Sequence, residues 1–276
     1  MPALTRYISA WDGLTLAIHR WGEPDDPRTP ILGLPGLVRT AGDFAALAAR
    51  MDGRRVIGLD YAGRGASGRA RHVARYRPEA CLRDVMDICA ALHLHRVAAV
   101  GTSFGGLLAM GLAVTRPGLL ERVVLNDVGP EIGVAGTELV RRLVAHDPAL
   151  PDIEACAAYL RALLPDLSLR TDAEWREFAA LTYAPGADGR WHPLWDTRIA
   201  GLLGEAPPDL WPLFGALAGT PTLLVHGGRS TLLETATVAR MAALRPDMAI
   251  CRVQDVGHAP TLEEPEAVAA LAGFLA

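Results

Sequence analysis

The chain has 276 residues, half of them apolar and 21% charged, with a formal net charge of −4. This length suits one large α/β domain, and this balance is typical of globular proteins and excludes a disordered chain. No basic block indicates nucleic acid and no run approaches the roughly 20 apolar residues of a membrane span, so we expect a cytoplasmic protein, monomeric or homodimeric, that acts on a small molecule without nucleic-acid or membrane partners.

The first predicted element is a β-hairpin. Residues 7–11 and 14–19 are rich in apolar and β-branched side chains and flank Asp12-Gly13. This dipeptide favours a tight turn because both positions tolerate positive φ. We therefore expect two antiparallel strands at the start of the chain.

Strands and helices then alternate along the chain. Short apolar runs predict strands at 31–34, 55–60, 97–101, 122–127, 221–227 and 249–253, and longer stretches predict helices at 43–51, 78–93, 105–115, 232–244 and from 265 onward. Parallel strands need such helical crossovers, and strands covered on both faces are apolar throughout. The predicted fold is therefore α/β, with a mostly parallel central sheet and helices on both faces.

The alternation stops between residues 130 and 208. This stretch has no clear apolar strand, and its amphipathic segments carry Trp175, Trp191 and Trp195 between joints that contain proline and glycine. Structureless loops of this length are uncommon in compact domains. We interpret 130–208 as a helical cap inserted over one end of the sheet, and 1–129 together with 209–276 as the core.

The strongest candidate for chemistry is Ser103, at the centre of G-T-S-F-G. The motif follows an apolar strand and opens an apolar helix. A serine on such a sharp turn needs a strained backbone, and flanking glycines let the strand and the helix approach closely. Its hydroxyl would project from the carboxyl end of the sheet, beside the amide of Phe104 at the helix N-terminus. The motif predicts a nucleophile at Ser103 and one oxyanion donor at Phe104.

Three other motifs occur in the order seen in the α/β-hydrolase superfamily, which the chain resembles over nearly all of its length outside the cap. L-P-G-L at 34–37 resembles the oxyanion loop, D-Y-A-G-R-G-A-S at 60–67 resembles D-x-x-G-x-G-x-S, and D-V-G-H-A-P at 255–260 resembles the loop that carries the histidine. The resemblance implies a serine hydrolase whose second oxyanion donor is the amide of Leu37. Local chemistry agrees, because Pro35 has no N–H to donate.

His258 is the candidate general base. A serine needs an imidazole within hydrogen-bond reach to lose its proton near neutral pH, and His258 follows the last predicted strand, where the resemblance implies the base. The histidines at helix ends or in polar stretches have no such placement. His226, at the end of a predicted strand, is interpreted as structural.

The acid is where this sequence departs from the superfamily pattern. Relatives carry it in G-x-x-S-D-x-L after the penultimate strand, but G-G-R-S-T-L-L puts Thr231 at the aspartate position. Threonine can accept a hydrogen bond from the imidazole but cannot stabilise the imidazolium by charge. Asp127, after the preceding strand, is the leading candidate for the acid, with a local turn-capping role as the competing interpretation. Glu234 is a weaker candidate, and a Ser-His pair without an acid is the remaining alternative.

The sequence thus predicts a hydrolase that cleaves a small carboxylic ester or lactone through an acyl-enzyme on Ser103, with His258 as base. The alternatives are an amide or carbon-carbon bond hydrolase, a cofactor-free lyase or dioxygenase, and a ligand-binding protein that has lost activity. No cofactor or metal is expected. The four cysteines lack C-x-x-C spacing and are interpreted as reduced, mostly buried thiols.

Overall fold

The computed structural model describes residues 3–203 and 209–276. The strands are β1 (Leu4–Ser9), β2 (Thr15–Trp21), β3 (Ile31–Leu34), β4 (Val56–Leu59), β5 (Val97–Thr102), β6 (Leu120–Asn126), β7 (Tyr183–Pro185), β8 (Trp191–Pro193), β9 (Thr222–Gly227) and β10 (Ala249–Val253). The α-helices are α1 (Ala45–Ala49), α2 (Pro78–Ala91), α3 (Phe104–Thr115), α4 (Val134–Val144), α5 (Ile153–Leu163), α6 (Asp172–Ala180), α7 (Trp211–Gly215), α8 (Thr235–Leu244) and α9 (Pro265–Leu275). These bounds fall within a few residues of those predicted for the core.

The central sheet has the strand order β1-β2-β4-β3-β5-β6-β9-β10. Strands β4, β3, β5, β6, β9 and β10 pair in parallel, whereas β2 pairs antiparallel with β1 and β4. The predicted α/β fold with a mostly parallel sheet is confirmed. Because parallel strands end at the same edge, the loops after β3, β5, β6, β9 and β10 meet there.

Apolar cores lie on the two faces of this sheet. Alternate residues of β5 point to opposite faces: Val97 and Ala99 pack with residues of α2 and α3, whereas Ala98 and Val100 pack with residues of α1 and α9. Helices therefore cover both faces, as the continuously apolar strands predicted. No helix within residues 3–203 and 209–276 is long and apolar enough to cross a membrane.

The predicted N-terminal hairpin is confirmed, with a different turn chemistry. β1 and β2 pair antiparallel, and Gly13 takes a φ of 83°. Asp12 has no positive φ; its carboxylate instead accepts a hydrogen bond from the amide of Leu14 at 3.2 Å. The aspartate thus favours the turn through a side-chain hydrogen bond rather than through a left-handed backbone.

The segment between β6 and β9 holds helices and also an element that the sequence did not predict. After α4, α5 and α6, strands β7 and β8 form a separate antiparallel hairpin, and its turn contains Gly189 with a φ of 78°. Each strand has only three residues, too few for an alternating pattern to be recognised. The Asp188-Gly189 pair was the available signal. The predicted cap boundary at 208 lies outside the described residues.

Candidate active site

Ser103 occupies the turn between β5 and α3. Its backbone has φ 51° and ψ −116°, a left-handed conformation that is costly for a residue with a Cβ. The turn is held on both sides: the Ser103 amide donates to the carbonyl of Asn126 at 2.9 Å, and its own carbonyl accepts from the amide of Gly106 at 2.8 Å. The sequence thus folds into the strained strand-turn-helix unit that G-T-S-F-G predicted.

The glycines of this motif let other backbone segments approach the turn. A Cβ on Gly105 would overlap the carbonyl oxygen of Leu34, at the end of β3. A Cβ on Gly101 would lie 2.5 Å from the carbonyl oxygen of Gly105 itself. The motif therefore needs glycine for close packing of the helix start against the sheet and against the loop after β3.

We predict that Gly105→Ala lowers the free energy of unfolding by about 3 kcal/mol or more, because the new methyl group overlaps rigid backbone rather than a side chain that could move. Gly273→Ala is the matched control: it lies in α9 with no atom within 4 Å of the added Cβ, and we expect it to stabilise by about 0.5–1 kcal/mol. Urea denaturation of both variants measures the difference. Equal stability of Gly105→Ala and the unmodified protein would contradict this account.

His258 lies between Ser103 and Asp127. Its Nε2 is 2.9 Å from the Ser103 hydroxyl oxygen, and its Nδ1 is 2.8 Å from Oδ2 of Asp127. The loop between β10 and α9 carries the imidazole, whose side chain is 12% exposed, while that of Asp127 is fully buried. When the carboxylate accepts from Nδ1–H, the lone pair on Nε2 faces the serine hydroxyl. The structure thus brings the three predicted residues together in the order that proton transfer from the serine requires.

Asp127 directly follows β6 and is hydrogen-bonded to the end of β9. Its amide donates to the carbonyl of Val225 at 2.8 Å, and its Oδ1 accepts from the amide of Gly227 at 2.9 Å. One carboxylate oxygen therefore accepts a hydrogen bond from β9, and the other faces His258. Asp127 also has a φ of 53°, so this placement has a backbone cost.

The other residues considered for the acid or the base have different environments. Thr231 has an exposed side chain, and its carbonyl accepts from the amide of Gly136. Glu234 is exposed just before α8. His226 is buried, and its Nε2 donates to the carbonyl of Leu233 at 3.0 Å. Within the described chain, none of these three side chains is hydrogen-bonded to His258.

Asn126 belongs to this site and was not singled out from the sequence. Its side-chain amide donates to the carbonyl of Pro260 at 2.9 Å and to the hydroxyl of Thr102 at 3.1 Å. It therefore ties the histidine loop to the strand that ends at the nucleophile. Its position directly before Asp127 was the only local signal, because both partners are distant in sequence.

The amides of Leu37 and Phe104 are available as donors beside Ser103. Leu37 follows β3 in the loop that packs on Gly105, and Phe104 is the first residue of α3. Neither amide has a hydrogen-bond acceptor among the residues that the structure describes. Two unpaired N–H groups at a helix N-terminus and a neighbouring loop can stabilise an oxyanion, as predicted for this pair.

A cleft of about 900 Å³ opens at Ser103 and His258. The segment between β6 and β9 supplies much of its apolar lining, from Leu139, Val140, Leu143, Leu160, Leu164, Leu167, Leu169 and Phe178. The cleft also contains Arg39, but Asp43 accepts a hydrogen bond from its Nε at 2.9 Å and balances its charge. Arg170 also lines the cleft, but acidic residues, among them Glu174 and Glu177, outnumber the two arginines. The cleft therefore favours apolar groups over anions. In the described ranges, no group of three or more His, Cys, Asp or Glu residues is arranged to hold a metal ion.

Comparison with known proteins gives similarity over nearly the whole chain. The sequence model of the alpha/beta hydrolase family matches residues 31–271. A 3-hydroxybutyrate-oligomer hydrolase of Cupriavidus necator is 34% identical, over 92% of this chain and 90% of its own. An sn-1-specific diacylglycerol lipase of Mus musculus is 30% identical, over 86% of this chain and 77% of its own. A solved alpha/beta hydrolase from Novosphingobium aromaticivorans has a TM-score of 0.93 at 37% identity, covering 99% of this chain and 98% of its own.

Proposed function

The chain belongs to the alpha/beta hydrolase family and is a hydrolase, and we propose that it cleaves carboxylic esters through an acyl-enzyme on Ser103. The observation that carries the proposal is the unbroken hydrogen-bonded series from Ser103 through His258 to Asp127, with heavy-atom distances of 2.9 and 2.8 Å. Such a series activates a serine hydroxyl that is otherwise a weak nucleophile.

The reaction has two stages. In acylation, Nε2 of His258 takes the hydroxyl proton as Oγ of Ser103 forms a bond to the ester carbonyl carbon. The tetrahedral intermediate then collapses, its carbon-oxygen bond to the leaving group breaks, and His258 returns the proton to the departing alcohol. In deacylation, water attacks the acyl-serine with the same base, so that a carboxylic acid leaves and the serine is regenerated.

The backbone amides and the buried acid act on charge that develops during these steps. The amides of Leu37 and Phe104 donate to the carbonyl oxygen as it becomes negative. Asp127 holds the imidazole in the productive tautomer and stabilises the imidazolium, the role that relatives give to an aspartate at the position of Thr231. Asp127 beside His258 supports turnover rather than ligand binding alone.

The substrate we propose is an ester with an apolar acyl group. The leucine-rich lining of the cleft supports this choice, and a volume of about 900 Å³ accommodates a chain of several carbons. Two relatives are named for substrates that contain ester bonds, 3-hydroxybutyrate oligomers and diacylglycerol. We propose that helices α4, α5 and α6, within the predicted insertion, form a cap that supplies the acyl-binding surface.

A panel of p-nitrophenyl esters with acyl chains of two to twelve carbons tests this proposal. We expect kcat/KM to rise about fourfold for each methylene added among the short chains, because each buried CH₂ contributes about 0.8 kcal/mol. 3-Hydroxybutyrate dimers and trimers, an acyl amide and a carbon-carbon diketone complete the panel. Cleavage of the amide or the diketone without cleavage of any ester would contradict the proposed bond specificity.

The acyl-binding surface has its own test. Leu164→Trp adds bulk to the cleft wall at the end of α5, so we expect the ratio of octanoyl to acetyl kcat/KM to fall about tenfold. Leu244→Trp is the matched control, since Leu244 is 59% exposed at the end of α8. An equal ratio in both variants would place the acyl chain elsewhere.

A further inference from the structure

Arg64 is a buried cation, and two of its guanidinium nitrogens donate to backbone carbonyls. It is 1% exposed, although a guanidinium is among the most costly groups to remove from water. Its Nε donates to the carbonyl of Leu37 at 2.9 Å, and its Nη1 donates to the carbonyl of Ala62 at 2.6 Å. The first of these contacts joins the loop after β4 to the loop that carries an oxyanion donor.

No carboxylate within the described residues balances this charge. Arg64 forms no ion pair there, and its Nη2 has no oxygen acceptor. Burial raises the pKa of the neighbouring Cys81 thiol to about 11 and also raises the pKa of the Tyr61 hydroxyl. Both groups are therefore neutral near pH 7. A lone buried charge is retained only where other contacts compensate for its desolvation, and for Arg64 these contacts are backbone carbonyls and aromatic rings.

Three successive carbonyls of the oxyanion loop each accept a hydrogen bond. The hydroxyl of Tyr61 donates to the carbonyl of Pro35 at 3.2 Å, and the amide of Arg39 donates to that of Gly36 at 3.1 Å. The buried guanidinium donates to the third, that of Leu37. The peptide unit that bears the Leu37 N–H is thereby fixed through its own carbonyl and through both neighbouring peptide units.

The same side chains contact the second oxyanion donor. The ring of Tyr61 packs edge-on against the ring of Phe104, with centroids 5.4 Å apart and an interplanar angle of 88°. The guanidinium carbon of Arg64 lies 5.9 Å from the Phe104 ring centroid and 5.8 Å from that of Tyr61. Tyr61 and Arg64 therefore link the loop of Leu37 to Phe104, the two residues proposed to supply the oxyanion donors.

We propose that Arg64 is a positioning residue of the oxyanion hole. By binding the Leu37 carbonyl it fixes the peptide unit that follows the Leu37 N–H, and thereby the direction of that N–H, and it places an unbalanced positive charge beside the site where the oxyanion forms. The proposal rests on the proposed serine-hydrolase function. A preorganised donor acts mainly in the transition state, since the substrate carbonyl carries little charge before attack. The effect of Arg64 should therefore be found in kcat rather than in KM.

The test measures p-nitrophenyl butyrate hydrolysis and inhibition by butylboronic acid, which forms a tetrahedral anionic adduct with an active serine. In Arg64→Gln we expect kcat to fall about 10- to 100-fold with KM changed less than about threefold. The inhibition constant of butylboronic acid should rise by the same factor as kcat falls. Arg64→Lys, which keeps the charge and one donor, should recover part of the loss.

Arg54→Gln is the matched control. Arg54 is also buried, at 5% exposure, and its guanidinium donates to the backbone carbonyls of Thr29 and Leu275. These contacts lie near the start of β3 and β4, at the amino ends of the strands. We expect Arg54→Gln to lower the melting temperature. When assayed below that temperature, its kcat should stay within about twofold of that of the unmodified protein.

Tyr61→Phe is a second test variant, to be used in place of Arg64→Gln if that variant does not fold. It removes only the hydroxyl donor to Pro35 and should lower kcat about 3- to 10-fold.

The outcomes separate the two proposals. If the unmodified protein hydrolyses the ester and binds butylboronic acid, but Arg64→Gln matches Arg54→Gln in kcat, the role of Arg64 is overturned and the serine mechanism stands. If Arg64→Gln does not fold, a Tyr61→Phe variant with the kcat of the unmodified protein overturns it in the same way. A fall in kcat accompanied by a comparable rise in KM in Arg64→Gln also overturns the role of Arg64, since that pattern indicates a damaged cleft. If the unmodified protein neither hydrolyses the ester nor binds the boronic acid, the serine mechanism fails and this inference fails with it.

Discussion

Asp127→Asn is expected to lower kcat for ester hydrolysis about 10³- to 10⁴-fold with little change in KM. The reason lies in how Asp127 is held. The amide of Gly227 donates to Oδ1 at 2.9 Å, so an asparagine must keep its oxygen there and turn its NH₂ toward His258. Nδ1 then has to accept rather than donate, which moves the imidazole proton to Nε2. The nitrogen that faces Ser103 loses the lone pair that it needs.

Steady-state kinetics on Asp127→Asn and Thr231→Asp measure this effect and its control. Thr231 is exposed and its side chain is not hydrogen-bonded to His258 within the described chain, so Thr231→Asp should change kcat less than about twofold. Adding Thr231→Asp to Asp127→Asn should not restore activity, because the asparagine NH₂ still donates a hydrogen bond to Nδ1 of His258. Full activity in Asp127→Asn would show that the acid assignment is wrong.

Ser103→Ala should abolish ester hydrolysis, with a loss in kcat of about 10⁵-fold or more. The loss follows from the absence of any other hydroxyl in hydrogen-bond contact with His258 within the described residues. The fold should be retained, since among the described residues the Ser103 side chain has no hydrogen bond other than that to His258. Alanine, which also carries a Cβ, has a similar backbone cost at this positive φ. Circular dichroism and the melting temperature check this point.

Ser9→Ala is the control for Ser103→Ala. Ser9 is exposed at the end of β1, at the antiparallel edge of the sheet, and its loss should leave activity unchanged. Residual hydrolysis by Ser103→Ala above about 1% of the unmodified rate would indicate a different nucleophile, because removing a catalytic nucleophile lowers kcat by several orders of magnitude.

The sequence predicted the features of the fold and site that depend on local chemistry. Alternating strands and helices indicated a parallel sheet, and G-T-S-F-G indicated the strained turn at Ser103. Asp127 could be proposed from its place after a strand, because strand ends of a parallel sheet meet at one edge. Its contact with His258 could not be derived, since the contact depends on the order in which β6, β9 and β10 lie side by side.

Contacts between loops account for most of what the sequence could not predict. Arg64 and Leu37 are 27 residues apart, and Asn126 and Pro260 are 134 apart. Neither pair leaves a pattern in either segment, because each contact depends on where two loops meet in space. The hairpin of β7 and β8 was not predicted for another reason: each strand has three residues, fewer than the roughly four to eight over which alternation can be recognised.

Labelling by a fluorophosphonate, which bonds covalently to a serine activated by a neighbouring base, tests the acyl-enzyme mechanism most directly. We expect one stoichiometric adduct, located on Ser103 by mass spectrometry of the digested protein. We expect no adduct in Ser103→Ala and a rate of labelling in His258→Ala lower by about 10³-fold or more. A folded protein that hydrolyses esters yet takes no label at Ser103, or labels equally fast without His258, would contradict the proposed acyl-enzyme mechanism.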